Sequence, residues 1–244
     1  MARVVIKRRR PTVVGITGFV GRSLTKEAVS LILSQKHSVR ETKKEHTGEI
    51  DILLAIIGVS GTRASFVSMI GIFFRWLAVI MFSARYPDIL VFELDVSRLG
   101  DMERLLRLIA PKIGVITDVL PDDYKEQLRL IASLPENGFA ILNADDKRAI
   151  KMSKKTRAKV ITYGFNENAL LLADNPVLYN EIKNERGNGE AEGFSFKLNY
   201  DGKTIPVRLP EMAAVHHIEP MLAAIAVGIT LKMNLVEIVS ILET

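Results

Sequence analysis

Glycines between a strand and a helix can turn backbone N–H groups toward a phosphate, and Gly15 to Val29, GITGFVGRSLTKEAV, has that form. It departs from the strict P-loop pattern: counting back from Gly21, the glycine expected five residues earlier is Ile16, and the expected lysine is Arg22. On spacing alone, a plain glycine turn explains the run as well as a phosphate site does. Glu93 stands near the end of an apolar run, where a carboxylate facing a phosphate loop would suit magnesium, a cation that prefers hard oxygen ligands. A solvated strand-end charge is the alternative. Asn143, Asp145 and Asp146 end another apolar run, where an Asx-rich turn is the plain reading. His216 and His217 are adjacent but lack Cys or carboxylate partners at ligand spacing, so loop histidines are expected rather than a transition-metal site. Asp122 and Asp123 could offer oxygens; a helix-initiating acidic pair is the better expectation.

The elements that must position these groups alternate. Val13 to Thr17 is β-rich, and Lys26 to Leu33 has helical apolar spacing at Ala28, Val29, Leu31, Ile32 and Leu33. Residues 35 to 50 are polar and read as loop. Strands are expected over Asp88–Leu94, Lys112–Thr117, Ala140–Leu142 and Lys159–Tyr163, with helices over Asp101–Leu108 and Tyr124–Ser133. This implies an α/β fold with a mostly parallel, doubly wound sheet of P-loop type, its ligands beyond the carboxyl ends of the strands. The last third changes character. Phe194–Tyr200 and Lys203–Leu209 flank Asp201-Gly202, a hairpin signal because both turn positions need positive φ. Asn184 to Gly193 reads as a polar loop, and helices over Glu219–Leu231 and Leu235–Leu242 close the fold.

With 48% hydrophobic and 25% charged residues over 244 positions, the chain falls in the globular class and not among disordered sequences. Residues 1–11 read as a basic N-terminal segment and 12–244 as one domain. The net charge of +5 is concentrated in Lys7 to Arg10 and in Lys147 to Lys159, without interleaved aromatics, so no nucleic-acid partner is expected. The absence of cysteine excludes disulfides and thiolate metal sites and fits a cytoplasmic location. Phe66 to Phe82 is nearly all apolar but falls short of the roughly 20 residues that span a bilayer. Arg75 interrupts it, so a helix buried in the domain or lying against a partner is expected before membrane contact.

Several runs resemble the central, ATP-binding domain of the Mur ligase family, in the family's order. The glycine run is similar to G-[IV]-T-G-[ST]-x-G-K-[ST]-[ST]-T, matching at Gly15, Thr17, Gly18, Gly21, Ser23 and Thr25 and departing at Phe19, Arg22 and Leu24. The resemblance implies that Ser23 ligates magnesium and that Arg22, replacing the family's lysine, contacts phosphate. PDILVFELDVSRLGDMERL, from Pro87, resembles PDILVLEMGADRPGDI, which gives Glu93 a magnesium-holding role. PKIGVITDVLPDD, from Pro111, resembles PKIGVVTNIGPTHLE, but the histidine implied for a second magnesium is absent. The following region, which carries a carbamylated lysine in the family, is shortened. NGFAILNADD places Asn143, Asp145 and Asp146 on the family's nucleotide-contacting N-x-D-D, and LPEMAAVHHIEPMLAAIAVG places His216 on its histidine.

The resemblance implies an ATP- and Mg2+-dependent, amide-forming ligase of peptidoglycan precursor synthesis working through an acyl phosphate. Its partners would be ATP, a UDP-muramoyl peptide and D-Ala-D-Ala. The family's N-terminal UDP-sugar domain and C-terminal Rossmann-like domain have no counterpart in these residues. The altered positions keep open an alternative, a catalytically inactive nucleotide-binding or interaction module.

Overall fold

The computed structural model describes residues 2–42, 49–59, 66–81, 86–95, 99–182, 190–210 and 214–243. Helix α1 (Ala2–Arg9) leads into strand β1 (Thr12–Thr17), and α2 (Arg22–Ser34) returns to a short β2 (Val39–Glu41). Helices α3 (Glu49–Ile57) and α4 (Phe66–Met81) precede β3 (Ile89–Glu93). Then α5 (Asp101–Ile109), β4 (Ile113–Ile116), α6 (Tyr124–Ser133), β5 (Phe139–Asn143), α7 (Lys147–Met152) and β6 (Lys159–Gly164) alternate. The antiparallel part is β7 (Leu171–Ile182), β8 (Glu190–Tyr200) and β9 (Lys203–Pro210), before α8 (Ile218–Thr230) and α9 (Leu235–Leu242). Among the described residues one nine-stranded sheet has the order β2-β3-β1-β4-β5-β6-β7-β8-β9. It is parallel through the β6–β7 pair and antiparallel from there.

Central strands buried on both faces read as continuous apolar runs, because neither side meets water. In β3, Ile89 and Val91 join a core with Val14, Ile16, Ile32 and the α8 residues Leu222 and Ile225. Leu90 and Phe92 point to the opposite face, into a core with Val5, Ile52, Ile56 and Met102. Each such burial contributes roughly 1.5–3 kcal/mol. Helix α8 is buried from Met221 to Gly228, and its small residues let it lie close to α2 and α9: a Cβ on Gly228 would stand 2.7 Å from Ile238 Cδ1 and 3.2 Å from Ile32 Cγ2.

Four departures from the sequence reading have physical causes. The polar stretch 35–50 holds β2, a three-residue edge strand too short to show alternation, and the start of α3; residues 43–48 lie outside the described set. Arg40 of β2 donates to the carbonyls of Ala55 (3.0 Å) and Ile56 (3.3 Å), capping the C-terminus of α3. The basic segment 1–11 is mostly α1, whose Arg9 Nε donates to Val79 O at 2.8 Å and whose Arg8 Nε donates to Ile80 O at 3.2 Å, at the C-terminal end of α4. The loop expected over 184–193 is strand from Glu190, with 184–189 outside the described residues, and β7 had no counterpart in the reading. Phe66 to Met81 is helical, and Phe82 lies outside the described residues. This helix buries Val79 but leaves Phe73, Phe74 and Met81 exposed, so it covers a face of the fold instead of being enclosed by it. No helix of the described residues is long and apolar enough to cross a membrane.

The Asp201-Gly202 hairpin is present, with φ of 50° and 72°. Gly202→Ala should lower stability by about 1–2 kcal/mol in urea unfolding through backbone strain alone, since nothing lies within 4 Å of its added Cβ. Gly71→Ala in α4, equally uncrowded but helical, should raise stability by roughly 0.5–1 kcal/mol. Equal effects at the two sites would contradict this turn geometry.

Candidate functional site

The carboxyl ends of β1, β3, β4, β5 and β6 open on one edge of the sheet, and the loop from Gly18 to Gly21 lies across it. Gly18 has φ of 149°, and a Cβ there would stand 1.9 Å from Thr117 Oγ1 and 2.9 Å from Asp118 Oδ1, so only glycine fits. Gly21, at φ 77°, opens α2, and no side chain caps that helix. Backbone pairing brings the end of β4 beside this loop: Thr117 N donates to Thr17 O at 3.0 Å. Asp118 Oδ1 then accepts from the backbone N–H of Phe19 and, at 2.9 Å, from that of Val20.

Below the loop the fold buries a carboxylate. Glu93 is 5% exposed and accepts from Ser23 Oγ at 3.0 and 3.2 Å through its two oxygens. Lys26 Nζ, 1% exposed, lies 3.9 Å from Glu93 Oε2 and donates to Thr42 O at 2.8 Å. Arg22 Nε is 3.6 Å from Glu93 Oε1, and its Nη1 is 2.9 Å from Asp95 Oδ1. The Arg22 head is therefore held by two carboxylates, Glu93 and Asp95. Ser23 and Glu93 bring a hydroxyl and a carboxylate together beside the loop, a donor set that suits magnesium, which takes one or two protein oxygens and fills its shell with water and phosphate.

A cleft of about 640 Å³ runs from Val20 and Gly21 past Thr117 and Asp118 to Asn143, Asp145, Asp146, His216 and Glu219, with Lys147, Arg148 and Lys151 on its wall. A smaller recess of about 300 Å³, lined by Phe19 to Leu24, Glu93, His216 and His217, adjoins it and shares Val20, Gly21, His216 and Pro220. Asn143 and Asp146 thus line the same opening as the glycine loop. Thr17 and Thr25 do not; both are buried beneath it, and Thr25 Oγ1 has no hydrogen-bond partner among the described residues.

Much of the acidic chemistry here also holds the site together. Asp146 caps α7, its Oδ1 accepting from Arg148 N at 2.7 Å, while its Oδ2 accepts from Val119 N at 2.8 Å. Asp145 Oδ2 accepts from Phe165 N at 2.7 Å, against Gly164, where a Cβ would stand 2.2 Å away. Asn143 Nδ2 donates to Thr117 O at 2.9 Å and to Glu219 Oε1 at 3.0 Å. Asp123 stands at the N-cap of α6, though its side chain makes no capping bond. The His216 and His217 rings meet edge to face at 4.5 Å. No group of three or more His, Cys, Asp or Glu among the described residues has the geometry of a metal site.

Sequence reasoning missed Asp118, Glu219, Tyr163 and the buried Lys26. Asp118 follows its strand as Glu93 closes its own, which is the signal that was available; Glu219 is two residues past the histidine pair. Burial pushes the Glu219 carboxyl up, the hydrogen bond from Asn143 opposes this, and the charges of Asp145 and Asp118 add to it. Tyr163, whose OH donates to Ile116 O at 3.1 Å, is raised well above the ordinary phenol value by burial first and then by Glu219, Asp118 and Asp145.

Comparison with known proteins places this geometry. Residues 16–228 match the family model described as the Mur ligase middle domain. A UDP-N-acetylmuramoyl-tripeptide--D-alanyl-D-alanine ligase of Synechocystis sp. is 24% identical over 233 residues, 91% of this chain and 41% of the relative. A UDP-N-acetylmuramate--L-alanine ligase of Aquifex aeolicus is 30% identical over 152 residues, 58% of this chain and 31% of the relative. Among solved structures, MurF from Acinetobacter baumannii superposes with a TM-score of 0.76 at 17% identity, covering 100% of this chain and 48% of that one. MurF ligase from Thermotoga maritima, in complex with ADP, superposes with a TM-score of 0.71 at 19% identity, covering 98% and 50%. The chain spans half or less of the length of these relatives.

The raised Glu219 value sets a pH dependence. In the folded state this carboxyl stays protonated where its unfolded counterpart, near 4.5, has ionised, so its stabilising contribution is complete below 4.5 and is lost as pH rises through the raised value. Glu219→Gln, which still accepts from Asn143, should flatten the fall of melting temperature above pH 4.5. An unchanged pH profile would mean that folding does not raise the Glu219 carboxyl.

Proposed function

The chain belongs to the Mur ligase family, whose middle domain it contains, and we propose that its cleft binds ATP with magnesium as the nucleotide-binding part of an amide-forming ligase of peptidoglycan precursor synthesis. The observation that carries this reading is the pairing of Ser23 Oγ with Glu93 directly beneath a glycine loop whose cleft continues to Asn143, Asp146 and His216. Asn143, Asp145, Asp146 and His216 would hold the nucleoside end. The amides of Gly18 to Gly21, the uncapped start of α2 and Arg22 would meet the phosphates. Ser23 and Glu93 would hold magnesium, which when bound supplies charge neutralisation to a transferring phosphoryl group.

In such a ligase the terminal phosphoryl group of ATP passes to a peptide carboxylate, releasing ADP, and an amine then displaces phosphate to leave the amide. The Synechocystis relative's name points to a UDP-N-acetylmuramoyl-tripeptide as the carboxylate and D-alanyl-D-alanine as the amine, and the Aquifex relative's to UDP-N-acetylmuramate and L-alanine. The residues on this chain serve that scheme by electrostatics and positioning, the terms that dominate phosphoryl transfer. Arg22 has a specific cost. It is engaged by Asp95 and Glu93, and a planar guanidinium does not replace a point-like ammonium without consequence. That engagement favours the second reading, a nucleotide-binding module without ligase activity.

Calorimetry tests the nucleotide site. ATP should bind weakly and only with magnesium; Gly21→Ala, strained at φ 77° and pressed to 3.0 Å from Pro220 Cγ, should weaken it about tenfold or more, and Arg22→Lys should tighten it. Affinity unchanged in both variants would remove the loop from consideration as a phosphate site. The chain by itself should form no amide from UDP-muramoyl tripeptide, D-Ala-D-Ala and ATP, because bringing the three together contributes roughly 7–11 kcal/mol of barrier lowering that half of the relatives' length does not supply. A product peak by mass spectrometry, with substrate-dependent phosphate release, would overturn that expectation.

A further inference from the structure

Two of the loop's backbone donors are already engaged. Two successive backbone N–H groups, those of Phe19 and Val20, both point at one oxygen, Asp118 Oδ1, which also accepts from the Thr117 hydroxyl at 3.1 Å. Successive amides converging on one point form an anion-binding concavity, and a carboxylate oxygen competes there with a phosphate oxygen for the same hydrogen atoms. Asp118 has little freedom to stand elsewhere. The β1–β4 pairing ends at Ile116, Thr117 N then donates to Thr17 O, and both the backbone N and the side chain of Asp118 stand within 3.0 Å of where a Cβ on Gly18 would be. The cationic partner is committed as well, since Arg22 is held by Asp95 and Glu93. The rest of the cleft is lined by Lys147, Arg148 and Lys151 and by His216, Glu219 and Asn143.

We propose that Asp118 is a built-in occupant of the loop's anion site and sets the ligand preference of the cleft, favouring the nucleoside end of a nucleotide and holding the phosphate chain off until this side chain is displaced. The inference rests on reading the cleft as a nucleotide site. Its physical core is substitution of one anion by another: phosphates entering the loop must break two amide hydrogen bonds to a carboxylate and then lie beside the carboxylate's charge. A nucleoside, lacking phosphates, meets neither obstacle.

The test uses the whole chain, with adenosine and MgATP as probes in calorimetric titrations of the wild type, Asp118→Ala and Asp118→Asn. Asp118→Ala should bind MgATP about tenfold tighter or more relative to adenosine, the reference probe. Asp118→Asn keeps an acceptor for the two amides while removing the charge, so it should tighten MgATP by less and leave the loop pinned. An MgATP affinity that stays the same or falls in both variants, with melting temperatures near the wild type's, overturns the proposal while leaving the nucleotide site standing. Binding of neither probe by any variant removes the nucleotide reading, and the proposal with it. A ligand-free check completes the set: the Phe19 and Val20 amide protons should exchange more slowly in the wild type than in Asp118→Ala, and equal exchange would show that the carboxylate does not occupy the loop in solution.

Discussion

A carboxylate almost wholly withdrawn from water needs partners, and the neutralisation of Glu93 organises the glycine-loop end of this fold. Burying a lone charge costs far more than one contact returns, so the surrounding chain must supply donors. Ser23 and Lys26, one helical turn apart on α2, supply two of them, and Arg22 supplies a third. Because Glu93 ends β3, and β3 pairs with β1 through Ile16, satisfying this one side chain fixes the start of α2 against the sheet. Removing a partner would strand the buried charge. The pair is therefore a constraint on geometry more than a source of stability.

The same economy of positions governs the cleft. Parallel strands covered on both faces all end on one edge, and the side chains just past those ends converge whether or not they attract one another. Here Asp118, Asp145, Asp146 and Glu219 meet there, and each carboxylate answers a structural need: loop amides, a glycine turn, a helix cap and the Asn143 amide. The result is an edge rich in negative charge in which burial and neighbouring carboxylates raise Glu219 and Tyr163. Lys147, Arg148 and Lys151 offset it from one wall. Under the proposed nucleotide reading, a site for phosphates is assembled from groups that also repel them, and the balance rests on which of those groups can yield its hydrogen bonds.

The residues themselves determined much of this. Apolar periodicity placed α6 and α9 to the residue and β3, β4, β5 and β6 within a residue or two, because two-sided burial demands unbroken apolar runs and amphipathic helices demand a stripe. Asp201-Gly202 fixed the β8–β9 hairpin through the positive φ that both positions adopt. The family resemblance carried by the glycine run, Ser23, Glu93 and Asn143 marked groups that meet on one sheet edge. What tertiary structure decided is everything that depends on a partner distant in the chain. β2 and α1 carry too little pattern of their own and exist because β3 and α4 offer them hydrogen bonds and burial. Arg22 turns to Asp95 and Glu93, Lys26 is drawn into the interior, and Asp118 lies on the amides of Phe19 and Val20. Local pattern reports which surface an element buries; only the packed sheet determines which charge stands opposite which, because strand order and register bring together groups far apart in the chain, 73 positions for Arg22 and Asp95 and 99 for Asp118 and Phe19.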